Sequence, residues 1–100
     1  MTLQKTRESL HDTLAERGLR YGLFKDHAEI AQAVKEVLWK TPGWQRLAAD
    51  QKQSLEVIAD KIARILNGDP DYDDNWRDIA GYASLVLDRL TAKPEPDPQP

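Results

Sequence analysis

Glu56, Asp60 and Arg64 follow one another four residues apart, and Asp71, Asp74 and Asp78 recur at three and four. On a helix each series lines one strip. Asn75 stands beside the second strip, one turn before Asp78, and Tyr82 one turn after it. Carboxylates converging from two neighbouring helices are what Mg²⁺ or Mn²⁺ needs, because both take oxygen ligands. A metal held in this way leaves positions for phosphate oxygens and an attacking water. Lys61 projects between Val57 and Ile65. With Arg64 it can meet the remaining phosphate charge, Arg as a fork and Lys as a point charge.

The same residues have a purely structural reading. Glu56, Asp60 and Arg64 also make an ion-pair ladder on a solvated face, with about 0.3 kcal/mol per pair. Asp69, Asp71, Asp73 and Asp74 sit where a helix dipole favours acids. Asp78 fits that account least well, since Asp is a poor helix former in mid-helix. The segment Arg20-Tyr21-Gly22 is a second candidate: Tyr21 can stack on a base while Gly22 lets backbone approach, or Tyr21 can plug the end of a bundle. His27 reads as a partly buried structural side chain, and His11 lies on a polar helix. Ser54 and Ser84 have no base at a useful spacing, so nucleophilic catalysis has no support.

Four helices must position these groups. The first is expected from about Thr2 to Arg17, with Leu3, Leu10 and Leu14 on a sparse apolar face and Gly18 ending it. The second is expected from an Asp26 cap, completed by Glu29 three residues on, with Ile30, Val34, Val37 and Leu38 as its buried stripe. Pro42 disfavours helix at Thr41 and stops it; Trp44 and Leu47 pack a short turn on the core. The third runs from near Asp50 to a left-handed cap at Asn67-Gly68. Leu55, Ile58, Ala59, Ile62 and Leu66 form one face, while Val57, Ala63 and Ile65 lie off it. A helix apolar nearly all round is central in its fold. The fourth runs from about Asp73 to Leu90, with Trp76, Ile79, Ala80, Ala83, Val86, Leu87 and Leu90 as its core face. From Lys93 on, Pro alternates with polar residues, which predicts an extended, disordered tail.

The expected architecture is all-α: a compact bundle of four main helices in a single domain over 1–91, with a Pro-rich tail over 92–100. Composition agrees. A chain of 100 residues holds one core. With only 7% aromatic residues, that core must be mostly aliphatic. The absence of cysteine excludes disulfides, thiolate metal sites and Cys nucleophiles. No apolar run approaches the roughly 20 residues that span a bilayer, so no membrane partner is expected. The first five residues lack the apolar core of a secretory signal, so the expected location is cytoplasmic. A formal net charge of -3 suits nucleic-acid binding poorly.

The ordered series Tyr21-Gly22, Lys61-Ile62-Ala63-Arg64-Ile65 and Asp74-Asn75-Trp76-Arg77-Asp78-Ile79-Ala80-Gly81-Tyr82 resembles a family of small phage and prophage proteins. The resemblance runs from about Glu16 to Leu90. That family is remotely similar to phage nucleotide-modification-associated domains and to all-α, MazG-like nucleoside triphosphate pyrophosphohydrolases. Such enzymes hold Mg²⁺ with E-x-x-E on one helix and E-x-x-D on the next, and cleave between the α and β phosphates. Here Asn75-x-x-Asp78 stands for E-x-x-D. Glu56 has Ala59 at the matching place, and Asp60 follows one residue later. Lys61-x-x-Arg64 suits direct phosphate binding with less reliance on metal.

The resemblance implies a nucleotide-binding protein of the bacterial host's cytoplasm, with divalent-metal-dependent pyrophosphohydrolase chemistry. Glu56, Asp60 and Asp78 would be catalytic, and Glu56, Asp60, Asp74, Asn75 and Asp78 would hold Mg²⁺ or Mn²⁺. Tyr21, Gly22, Lys61, Arg64 and Tyr82 would contact the nucleotide. Related folds build sites between subunits, which implies a homo-oligomer, a dimer in the simplest case. The alternative is a non-enzymatic phage protein that sequesters a nucleotide signal or binds a host protein, with Trp39, Trp44 and the tail as contacts.

Overall fold

A computed structural model describes residues 20–92 of the chain. The first expected helix and the Pro-rich tail lie outside those residues. Arg20 and Tyr21 are helical, beyond the end expected at Gly18, and three α-helices and one 3₁₀ turn follow: α1 (Phe24–Lys40), the 3₁₀ turn (Pro42–Arg46), α2 (Ala49–Asn67) and α3 (Asp73–Thr91). They correspond to the second, third and fourth expected helices. Three helices rather than four are therefore described, and no strand occurs among the described residues.

The helix ends follow local chemistry, with two departures from expectation. α1 starts two residues before Asp26, on an extended Leu23 that offers no side-chain cap. Asp26 instead sits in the first turn, where the helix dipole favours it. Thr41, extended before Pro42, returns its hydroxyl to the Val37 carbonyl at 2.8 Å. At the start of α2, the Gln51 side chain accepts the Ala48 N–H at 2.8 Å, which is half of a capping box. Its end is not the left-handed cap that Asn67-Gly68 predicts, because Gly68 has φ -137°. Asn67 Nδ2 instead donates to the carbonyls of Tyr21 at 2.8 Å and Leu23 at 3.0 Å.

α2 packs against both α1 and α3, which scarcely meet each other. As expected from its wrap-around apolar surface, it is the central helix. The seams are made of small residues: Ala31 of α1 and Ser54, Ala59 and Ala63 of α2 are buried. Small side chains let helix axes approach closely, and larger ones then have no room in the seam. Trp44 of the 3₁₀ turn is the buried aromatic residue of the described core.

On α3 the expected core face is met only at Ile79 and Val86, and its other members stand exposed. The inward strip is Asn75, Asp78, Ile79, Tyr82 and Val86, with Asn75 only 1% exposed. Trp76, Leu87 and Leu90, expected in the core, are 55–58% exposed. The Trp76 indole N–H is tied to the Pro70 carbonyl at 2.8 Å, which holds the ring outside the seam.

By helical spacing, the layer of three helices has two different sides. One carries Lys35, Asp60, Lys61, Arg64 and Asp78. The other carries Val37 of α1, Leu55, Ile62 and Leu66 of α2, and Trp76, Leu87 and Leu90 of α3. A groove of about 310 Å³ on that apolar side lies between Leu47, Leu55, Ile58, Ala83 and Val86.

Candidate functional site

The charged side is built around two interhelical ion pairs. Lys35 Nζ lies 2.9 Å from Asp60 and ties α1 to α2; Lys61 Nζ lies 2.9 Å from Asp78 and ties α2 to α3. In each pair the lysine is the inner partner, at 14% exposure, while the carboxylates are 36% and 47% exposed. The ammonium groups are thus held in the seams and the acids stand at the rim.

Arg64, one turn beyond Asp60 and Lys61, forms no ion pair among the described residues. Its guanidinium lies over the Tyr21 ring, 4.7 Å from the centroid. Tyr21 meets Tyr72 edge-on at 6.0 Å, and Arg20 covers the Tyr72 ring at 4.2 Å. Two cations and two rings therefore alternate across one end of the layer, each ring's negative face turned to a guanidinium. Tyr72 donates its hydroxyl to Asp74 at 2.8 Å, and that charge raises the Tyr72 phenol above its ordinary range.

Gly22 makes this corner possible. Its φ is +77°, and a Cβ there would come within 2.1 Å of the Asn67 carbonyl oxygen. Gly68 faces the Arg20 carbonyl just as closely. The close approach that Gly22 permits is to the end of α2.

His27 sits on α1 two turns before Lys35, on the strip it shares with Ala31. Its pKa lies below the ordinary value, first because of burial, then because of Arg64, with Lys35 and Lys61 adding and Asp60 opposing. A proton on His27 thus meets a net positive surrounding. Its Nδ1 is buried without a partner, as is Nδ2 of Asn75. The antiparallel register set by Lys61–Asp78 places Asn75 level with Arg64.

The expected site residues are only partly brought together. Asp60, Lys61, Arg64 and Asp78 share the charged side, and Glu56 lies one turn before Asp60, half-buried. Asp74 is exposed and bound to Tyr72. Tyr82, level with Val57, is about 15 Å along α2 from the corner that holds Tyr21. The two tyrosines bound the charged strip at its ends and do not clamp one ring. Among the described residues no three Asp, Glu or His side chains converge on a point where a metal could sit. Asp60 and Asp78 are instead each neutralised by a lysine. These residues do not fit a divalent-metal centre.

His27, Lys35, Asn67 and Tyr72 are members of the site that spacing did not single out. The series His27-Ala31-Lys35, polar residues flanking alanine at one-turn intervals, was the available signal for the first two. Asn67 was legible only as a cap.

An all-helical layer with one ionic and one apolar side is the class that fold and site define. A family described as a domain of unknown function, DUF6378, matches residues 3–89, and the chain belongs to that family. No curated protein and no solved structure matches the chain.

Proposed function

We propose that this chain is a nucleotide-binding protein that holds phosphate on its charged side, with Lys61 and Arg64 as the principal contacts. The observation that carries the reading is that Lys35, Lys61 and Arg64 share one side of the layer, with Arg64 stacked on Tyr21 and, among the described residues, in no ion pair. The unpartnered Asn75 amide supplies a further donor at the level of Arg64. Tyr21 and Tyr82 would border the base or sugar at opposite ends of the strip. Pyrophosphohydrolysis with Mg²⁺ or Mn²⁺ at Glu56, Asp60, Asp74, Asn75 and Asp78, which the resemblance to MazG-like enzymes implies, would require Asp60, Asp74 and Asp78 to leave their present partners. The lysine pairing of Asp60 and Asp78 supports binding ahead of metal-dependent turnover.

A thermal-shift series of nucleoside triphosphates tests the reading, because a ligand specific to the native state raises apparent stability by mass action. A shift is expected with at least one nucleotide, and Arg64→Ala should remove it while retaining helical signal. An unchanged shift in that variant sinks the assignment.

The apolar side supports a second element, a homodimer. Val37, Leu55, Ile62, Leu66, Trp76, Leu87 and Leu90 are each 37–67% exposed. An apolar patch of this extent on a small domain marks an interaction surface. A host protein on the same surface is the competing reading. A single 11.4 kDa species in sedimentation at high concentration counts against the dimer.

A further inference from the structure

The two ion pairs carry one step more, resting on the nucleotide reading above. We propose that the charged side is an ion-exchange site: Asp60 and Asp78 hold Lys35 and Lys61 in the unliganded protein, and a nucleotide's polyphosphate chain displaces them without a divalent cation.

Three observations lead there. First, the lysines are inside and the acids outside, so the acids are free to swing into water while the ammonium groups stay where they are. Second, each carboxylate is already charge-compensated, and a metal would have to compete with a lysine 2.9 Å away for each of them. Third, Arg64 lacks a carboxylate and Asn75, 1% exposed, has an amide N–H group without a partner. These are donors for an acceptor that the described residues do not provide, and a buried donor such as that of Asn75 is rarely left so.

Lys61 and Arg64 stand three residues apart on α2, with about 5–6 Å between their Cβ atoms. That separation lets two linked phosphate groups each take one cation. Phosphate carries more charge and more acceptor oxygens than the carboxylate it replaces, which favours the exchange. The lowered pKa of His27 fits the same picture, since its surroundings favour a negative guest over a proton.

Calorimetric titration of the full chain decides the matter. ATP, GTP and inorganic tripolyphosphate are titrated separately, each in EDTA and in Mg²⁺. Expected is nucleotide binding in EDTA that Mg²⁺ does not strengthen, with Asp78→Asn tightening it about threefold or more by releasing Lys61. Arg64→Ala should weaken it about tenfold or more. Binding that requires Mg²⁺ and vanishes in Asp78→Asn overturns the exchange and leaves the nucleotide reading intact. Tripolyphosphate binding in EDTA without nucleotide binding keeps the exchange and overturns the nucleotide. Neither ligand binding in either buffer overturns both. Should Asp78→Asn fail to fold, the wild-type comparison in EDTA and Mg²⁺ decides alone.

Discussion

The two sides of α2 differ in kind. Toward one side it presents Asp60, Lys61 and Arg64, each engaged with a neighbour by charge or ring. Toward the other it presents Leu55, Ile62 and Leu66, 37–67% exposed. The difference teaches what each side is suited to do. Half-buried ionic groups are costly unless paired, so they are arranged in couples and are suited to a charged guest. Aliphatic side chains on a surface gain free energy from any apolar cover, about 25 cal/mol for each Å² removed from water. On the proposed reading the first side discriminates by charge, and the second drives association.

Charging the apolar side gives the largest expected effect. Leu66→Glu combined with Leu87→Glu should weaken self-association more than about a hundredfold, since central apolar residues of an interface contribute about 2 kcal/mol each. Analytical ultracentrifugation reads the change, and nucleotide binding on the opposite side should survive it. Loss of both properties together would mean that the two sides are not independent.

Gly22→Ala attacks the corner on which Tyr21 rests. A left-handed residue with a backbone oxygen 2.1 Å from the new Cβ must move. A loss of about 2 kcal/mol in urea unfolding is expected. Nucleotide affinity should fall as well, because Tyr21 carries Arg64 on its face.

A smaller effect concerns acid stability. The folded-state pKa of His27 is depressed from 6.5, chiefly by burial. The unfolded chain therefore takes up a proton more readily than the folded one. The contribution of neutral His27 is complete above pH 6.5 and is lost as pH falls through the lower folded value. Thermal midpoints measured from pH 7.5 to 5 should decline in the wild type and decline less in His27→Gln. Equal slopes would show that the histidine is not held in this environment.

Asp50→Asn should do least. Arg89 Nε donates to Asp50 and lowers its carboxyl pKa, but both groups stand in water at the far end of the layer. Exposed pairs of this kind contribute little. A midpoint indistinguishable from wild type is expected, and a large drop would make this pair part of the core.

The positions of α1, α2 and α3 were largely legible in the chain. Pro42-Gly43 and Gly68-Asp69-Pro70 are breaks that no helix continues through, and the amphipathic period between them has one solution. The central place of α2 followed from apolar residues lying off its main face. The site was legible only in part. Asp60 and Arg64 share a strip as their spacing implies, while Lys61, which spacing sets apart from them, reaches the same side of the layer with Asp78. Which acid meets which lysine depends on the register between helices, and no single-helix pattern contains that. Tyr72 and Asn67 join the site through contacts from distant parts of the chain.

Local sequence therefore determined where the chain is helical, because propensity, proline and helical period act within a few residues. It also determined which residues share a strip. Only the tertiary structure decided which strip turns inward. On α3 Trp76, Leu87 and Leu90 stay outside while Asn75, Asp78 and Tyr82 turn toward α2, where Lys61 meets Asp78. The bulky side chains are left outside. Register and pairing are properties of two helices together, and they are what the sequence of either one alone leaves open.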